Sequence, residues 1–350
     1  METRIFGLMK RRWHHVILVA GVMSILTSAL RPARIPETYR ITGQAQGTTY
    51  AITYYADQKL VSKTQADSIF KSLDASLSIY QPGSLISRFN ASQEAVEMDA
   101  HFANVIEKSM QIYRTTGGLF DITVYPLVRA WGFGVKATDA MPDSAAIHRL
   151  LPCVGSDKLK MEGLRLVKTA PCVQIDVNGI AQGYSVDVLA SFLEARGIAN
   201  YMVEVGGEIR TKGRKLPGNE PMNIGIETPS ANVFDAPAIR EVISIGDGAV
   251  TTSGSYRKFR ESGGMRLSHI IDPKTGYPVQ REIISATVVA PEAITADGFD
   301  NALLAAGIDG AFEILRAHPG MEAYLIYRKP DGTVADTASA GFGRYVVAER

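Results

Sequence analysis

Apolar residues recur at helical spacing in two early stretches. Ala66, Ile69, Phe70, Leu73 and Leu77 line one face, as do Phe102, Val105, Ile106, Met110 and Tyr113. Gly117-Gly118 follows the second stretch and predicts a left-handed helix exit. Ser144 to Leu151 and Ser185 to Arg196 predict two further helices, the last closed by Gly197. Thr48 to Tyr55 (TTYAITYY) is rich in β-formers and predicts a first strand after a linker at 31–42 that holds Pro32 and Pro36. Tyr201–Val205 and Glu208–Thr211 flank Gly206-Gly207 and predict a hairpin. Met222–Glu227, Val242–Ile245 and Ser285–Ala290 predict strands, and 296–306 and 309–317 predict helices. A final hairpin, Ala323–Arg328 with Thr333–Ala338, turns through Pro330-Asp331-Gly332. Strands and helices do not alternate regularly, so the expected class is α+β rather than a doubly wound parallel sheet. The chain has no internal repeat and no low-complexity tract.

The first 30 residues follow a different pattern. Arg11 and Arg12 precede an apolar run from Val16 to Leu30, interrupted by Gly21, Ser24, Thr27 and Ser28. A basic flank before such a run predicts an export signal. Its 15 residues are fewer than the roughly 20 of a spanning helix. Residues 1–30 are therefore expected to be a signal peptide, cleaved after Ala29, or an uncleaved N-terminal membrane anchor. The expected location is the bacterial cell envelope, on the periplasmic side, inner-membrane anchored or soluble after cleavage.

Composition fits a folded chain: 46% hydrophobic and 21% charged residues over 350 positions. Lys+Arg 37 against Asp+Glu 36 gives +1. The leader carries Arg4, Lys10, Arg11 and Arg12 against Glu2, so without that +3 the remainder stands at −2. A basic surface of the kind nucleic acid requires is absent from the body. Cys153 and Cys172 are the two cysteines. Outside the cytosol they can pair, and as free thiols they would serve as small buried hydrophobes; spacing alone decides neither.

Five segments carry residues suited to chemistry. In TGGLFDITVYPLVRAWGFG (Thr116–Gly134), Asp121 follows a double glycine and either contacts a ligand or caps a turn. DVNGIAQGYSVD (Asp176–Asp187) reads as strand, turn and helix; its glycines suit a phosphate held on backbone N–H groups, or merely a turn. In it, Gly183 is expected to let a ligand approach the backbone. AVTTSGSY (Ala249–Tyr256) offers consecutive hydroxyls for phosphate or sugar oxygens, and is also ordinary loop composition. SHIIDPKTGYP (Ser268–Pro278) sets His269 before an Asp-Pro turn, as a structural hydrogen-bonder or a catalyst, with Arg257 and Arg266 nearby for phosphate or solvent. In ADGFDNALL (Ala296–Leu304), Asp297, Asp300 and Asn301 share one helix face. Hard oxygen ligands there suit Mg²⁺ beside a phosphate, while acidic residues in a first turn also complement the helix dipole.

These segments, with SLISRFN (Ser84–Asn90) and VEVGGEIRTKG (Val203–Gly213), stand in the order seen in the ApbE family of FAD:protein FMN transferases. The chain resembles that family over about residues 40–345, so 43–345 is expected to form one flavin transferase domain. The resemblance implies an ApbE-like, T-fold-related fold of mixed, largely antiparallel sheets with packed helices and FAD in a cleft. It implies that the FMN half of FAD moves, with Mg²⁺ on the pyrophosphate, to a Thr or Ser hydroxyl of a target protein, and that AMP leaves. The targets implied are envelope redox subunits of the NADH:quinone sodium pump and Rnf type. Asp297 matches the family's metal-binding Asp, and Gly179 the position whose backbone carbonyl completes the metal site. Asn301 stands where Thr or Ser is usual, and Asp300 sits beside this face. For FAD, the implied contacts are Tyr80, Leu119, Phe120, Asp121, Asp176, Ser253 and Ile271. Gln46 stands where Met is frequent and Gln182 where Lys or Glu is common. His269 matches a functionally important His and is the expected proton acceptor. Two other readings use the same pocket: a Mg²⁺-dependent FAD pyrophosphatase, with water as acceptor, and a non-catalytic FAD-binding envelope protein.

Overall fold

A computed structural model describes residues 35–135, 141–228, 238–255, 259–262 and 265–348. The leader, Tyr256–Lys258 and the side chain of Arg266 lie outside what is described, as do the expectations placed on them. Glu37–Arg350 forms one compact unit. Among the described residues no helix is long and apolar enough to cross a membrane.

Fifteen described strands lie in four sheets. They are β1 (Glu37–Ala45), β2 (Thr48–Ala56), β3 (Ala95–Glu97), β4 (Leu159–Glu162), β5 (Arg165–Lys168), β6 (Tyr201–Val205), β7 (Glu208–Lys212) and β8 (Asn223–Glu227), then β9 (Ile239–Ser244), β10 (Asp247–Gly254), β11 (Phe259–Ser262), β12 (Met265–Ser268), β13 (Ile283–Ala290), β14 (Glu322–Arg328) and β15 (Val334–Ala338). The α-helices are α1 (Lys63–Leu77), α2 (Leu85–Ala91), α3 (Ala100–Thr115), α4 (Tyr125–Ala130), α5 (Ser144–Leu150), α6 (Ala181–Glu194) and α7 (Ala293–Ala317). The main sheet has eight strands in the order β1-β2-β6-β7-β10-β13-β14-β15, antiparallel throughout. The α+β expectation therefore holds.

The period-2 alternation of a strand sends successive residues to opposite faces of this sheet. On β10, Ala249 joins the large core shared with α1, α3, α6 and α7, whereas Val250 joins a second core with Ile224, Ile226, Ile243 and Phe342. Both faces are thus covered, which explains why β13 is buried almost end to end.

Several elements differ from the sequence expectation. The linker expected to reach residue 42 ends by Glu37, because β1 pairs along β2 from Glu37↔Ala56 to Ala45↔Thr48 and buries Ile41. The hydroxyl run from Ala249, open to reading as a loop, is strand β10 in the middle of the sheet. Helix α6 begins at Ala181, four residues before the expected start at Ser185. The two helices expected at 296–306 and 309–317 form one run, α7, broken only by the left-handed Gly307 (φ 74°). Cys153 and Cys172 are joined in a disulfide, with Cα atoms 5.4 Å apart.

Candidate active site

Three pieces meet on the helix-covered face of the main sheet: the turn leading into α6, the first half of α7, and the edges of β7 and β10. Asp187 on α6 fixes their relation. Its Oδ1 accepts from the Ala293 N–H (3.0 Å) and its Oδ2 from the Ile294 N–H (2.8 Å), so it caps α7, whose own N-cap Glu292 makes no side-chain cap bond. Arg210 on β7 holds the same carboxylate at 2.6 Å. Burial raises the Asp187 carboxyl, and the Ile294 N–H and the Arg210 guanidinium oppose that rise.

Gly183 sits where α6 meets α7. A Cβ there would lie 2.4 Å from the Ala293 carbonyl oxygen and 2.7 Å from the Asp297 Cβ. The missing side chain therefore admits the neighbouring helix, which corrects the expectation that it admits a ligand. The Gly183 N–H donates to Asp297 Oδ2 at 2.8 Å and aims that carboxylate.

Asp297, Asp300, Asn301 and Gly179 come together as expected. Asn301 Nδ2 lies 3.3 Å from the Gly179 carbonyl oxygen, 3.1 Å from the Asp297 carbonyl oxygen and 3.0 Å from Asp300 Oδ1. The amide nitrogen thus sits among three oxygens, the place a cation's charge would suit; turning the amide over presents Oδ1 to the same space. Asp300 Oδ2 accepts from Thr251 Oγ1 at 2.8 Å, and Ser253 also hydrogen-bonds this carboxylate. The hydroxyls of β10 serve Asp300, while Thr252 on the other face pairs with Thr287 at 2.9 Å.

Glu208, the first residue of β7, completes the cluster and was not anticipated from the sequence. Ligand atoms of Glu208, Asp297 and Asp300 lie within 4.8 Å of one another, and all three residues are buried. Burial pushes the Asp297 carboxyl up to about 7, against the Gly183 N–H, with Asp187 adding to the rise. Burial and the neighbouring Asp297 push Asp300 well up, and burial with both aspartates does the same to Glu208. Among the described residues no Lys or Arg forms an ion pair with any of the three.

The expected nucleotide contacts surround this corner unevenly. Phe120 borders Gly179, whose added Cβ would stand 3.7 Å from its ring. Leu119 is half-buried and packs on the main core. Asp121 is buried and its oxygens are taken: Oδ1 accepts from the Thr123 N–H (2.8 Å), Thr123 Oγ1 (2.7 Å) and Ser156 Oγ (2.6 Å), and Oδ2 from the Ser156 N–H (3.2 Å). Its carboxylate is a loop cap. Asp176 Oδ1 accepts from the Asn178 N–H at 2.8 Å, and the hydroxyl of Tyr80, which is 62% exposed, lies beside Asn178 and Asp176.

Gln46 holds φ 52° in the β1–β2 turn and reaches Ser185 on α6 at 2.8 Å; its Oε1 is buried without a partner among the described residues. Gln182, on the first turn of α6, lies against the Gly206 turn and Thr48. His269 is half-buried with its ring edge toward Phe133, centroids 6.4 Å apart. Ile271 is buried in a separate apolar cluster with Leu127, Trp131 and Ile147, and bridges to Pro278. An open cavity of about 660 Å³ among α1, α2 and β3, lined by Ala75, Leu85, Arg88 and Met98, holds none of these residues.

The ApbE family model matches residues 46–325. The FAD:protein FMN transferase of Haemophilus influenzae is 35% identical over 338 residues, covering 92% of this chain and 96% of that protein. That of Vibrio cholerae is 35% identical over 340 residues, covering 95% and 98%. Among solved structures, the flavin transferase ApbE from Vibrio cholerae superposes with a TM-score of 0.79 at 34% identity, covering 89% of this chain and 99% of that one. The apo Pseudomonas stutzeri flavinyl transferase ApbE gives 0.80 at 29% identity, covering 91% and 100%.

Proposed function

The chain belongs to the ApbE family of FAD:protein FMN transferases, so its activity is transfer of FMN from FAD to a protein, and we propose that it does so at a divalent cation, Mg²⁺ in the cell, held by the Gly179 carbonyl, Asp297, Asp300 and Asn301. The observation that carries this reading is the oxygen-lined corner itself. Buried carboxylates with no cationic side chain against them are costly to ionise, and here they stand beside a backbone carbonyl and a side-chain amide. All are hard oxygen donors of the kind Mg²⁺ takes.

When bound, Mg²⁺ offsets the charge of the FAD pyrophosphate and of the departing AMP. The chain's own residues do the rest. Asp176 and the Leu119–Asp121 backbone hold the nucleotide beside the carboxylate corner, and the exposed face of Tyr80 stacks on the flavin. Gln46 and Gln182 line the α6 side of the cleft with neutral amides, Ser253 stands beside Asp300, and Ile271, its side chain buried, offers the nucleotide its backbone. The acceptor Thr or Ser oxygen forms a bond to the FMN phosphorus as the bond from that phosphorus to the AMP oxygen breaks. His269 takes the hydroxyl proton, which a high-pKa nucleophile must lose for the exchange to proceed. AMP leaves with the bridging oxygen.

We place the protein on the periplasmic side of a bacterial envelope, brought there by residues 1–30. Its acceptors are redox subunits of the NADH:quinone sodium pump and Rnf type. The test incubates the protein with FAD, Mg²⁺ and such an acceptor domain, then measures flavin fluorescence on the denatured acceptor and AMP in the supernatant. Equal amounts of label and AMP are expected. FMN and AMP without label would identify a pyrophosphatase, and intact FAD a binding protein.

A further inference from the structure

The family reading uses Asp297, Asp300, Asn301 and Gly179, and leaves Glu208 without a task. Its position is unusual. Glu208 follows the Gly206-Gly207 turn at the start of β7, and only 7% of it is exposed. The Thr252 N–H serves its carboxylate from β10, yet Oε2 is buried and has no hydrogen-bond partner among the described residues. What Oε2 has nearby are the carboxylates of Asp297 and Asp300, with all three groups' ligand atoms inside 4.8 Å.

A structural role would have given such an atom a donor, because buried polar atoms almost always have one. Asp297 and Asp300 can donate to Oε2 only while they carry a proton, the state burial favours in the empty site, and a cation displaces that proton. The groups around Asp300 are already committed: Thr251 to Oδ2, and Asn301 to Oδ1. A positive ion among the three carboxylates satisfies Oε2 without moving any element. The spacing agrees, since oxygens on opposite sides of one cation at about 2.0–2.6 Å stand roughly 4–5 Å apart.

We infer that Glu208 is a further ligand of the divalent cation, and that its carboxylate lets the site hold the ion before FAD arrives. This rests on the proposed cation site at Asp297. Mg²⁺ sites built on one or two carboxylates usually depend on substrate phosphates for the remaining affinity. A third carboxylate supplies charge that the phosphates would otherwise bring. Binding order is the consequence: cation first, nucleotide second.

The experiment measures Mn²⁺ binding to the FAD-free protein by electron paramagnetic resonance, for wild type, Asp297→Asn, Glu208→Gln and Glu208→Asp. FAD binding and circular dichroism check that each is folded. Wild type is expected to bind Mn²⁺ without FAD, Glu208→Gln to bind at least tenfold more weakly, and added FAD to narrow that gap. Glu208→Asp keeps the charge but draws the oxygens back by one methylene, and is expected to fall between. Loss of binding in Asp297→Asn with Glu208→Gln within twofold of wild type would overturn the role of Glu208 and leave the cation site standing. Equal Mn²⁺ binding by wild type and Asp297→Asn would overturn the site itself. If Glu208→Gln does not fold, Glu208→Asp decides: wild-type affinity in it overturns the inference.

Discussion

Gly183→Ala is the substitution that most sharply tests how the site is built. The new Cβ would stand 2.4 Å from the Ala293 carbonyl oxygen, where ordinary contact begins at 3.4 Å. Helices α6 and α7 must therefore part by about 1 Å, since neither side of the contact is a flexible side-chain end. The same movement stretches the 2.8 Å bond from the Gly183 N–H to Asp297 Oδ2 beyond hydrogen-bonding range. Overpacking costs about 1–3 kcal/mol, and the lost bond to a carboxylate costs about 1.5–3 kcal/mol. Replacing a helical glycine by alanine returns about 1 kcal/mol. The net loss of roughly 2–5 kcal/mol corresponds to a fall in Tm on the order of 5–15 °C for a chain of this size. Because Asp297 loses its aim, the Mg²⁺ concentration for half-maximal transfer should rise as well. The assay is thermal unfolding alongside a Mg²⁺ titration of transfer, with Gly83→Ala as control, since nothing lies within 4 Å of a Cβ there. A Gly183→Ala protein with wild-type Tm and Mg²⁺ requirement would refute the argument that this glycine sets the helix approach.

Three further outcomes are expected. His269→Ala should keep FAD binding, measured by flavin fluorescence, while transfer falls by about 10²-fold or more; full transfer would remove His269 from the chemistry. Reducing the Cys153–Cys172 bond, which spans 19 residues, should cost about 3 kcal/mol by denaturant unfolding; identical curves with and without reductant would contradict this. Burial raises the folded Asp297 carboxyl to about 7 from an ordinary 3.8 and raises Asp300 and Glu208 beside it, so protons on this cluster favour the folded state. Metal-free stability should therefore fall as pH rises from about 4 through neutrality, by on the order of several kcal/mol at 1.36 kcal/mol per pKa unit. Asp297→Asn should show a smaller fall, because only Asp300 and Glu208 still titrate upward there, and identical pH profiles for the two proteins would contradict the assignment.

The sequence carried the local signals and missed those that depend on distant partners. Periodicity exposed α1 and α3 because each buries one stripe, and Gly206-Gly207 exposed the β6–β7 hairpin because a tight turn needs positive φ, found here at 62° and 102°. Asp297, Asp300 and Asn301 could be grouped from helix geometry alone. β10 was harder to read, since its threonines and serine look like loop composition; they sit in mid-sheet because Asp300 and Thr287 bond their hydroxyls. The start of α6 was hidden by Gly183, a poor helix former kept for the close approach of α7. Asp121 already had a capping alternative, and that is what its carboxylate does. Glu208 gave no local sign. It becomes part of the site only when β7 pairs with β10 and α7 crosses both, contacts separated by tens of residues.

The central claim is that a divalent ion at the Asp297 corner meets the FAD pyrophosphate. Diffraction at the manganese edge from crystals soaked with FAD and Mn²⁺ tests it directly. An anomalous peak touching the Gly179 carbonyl oxygen, Asp297 and a pyrophosphate oxygen is the expected result. A peak elsewhere, or a nucleotide bound away from this corner, would contradict the account.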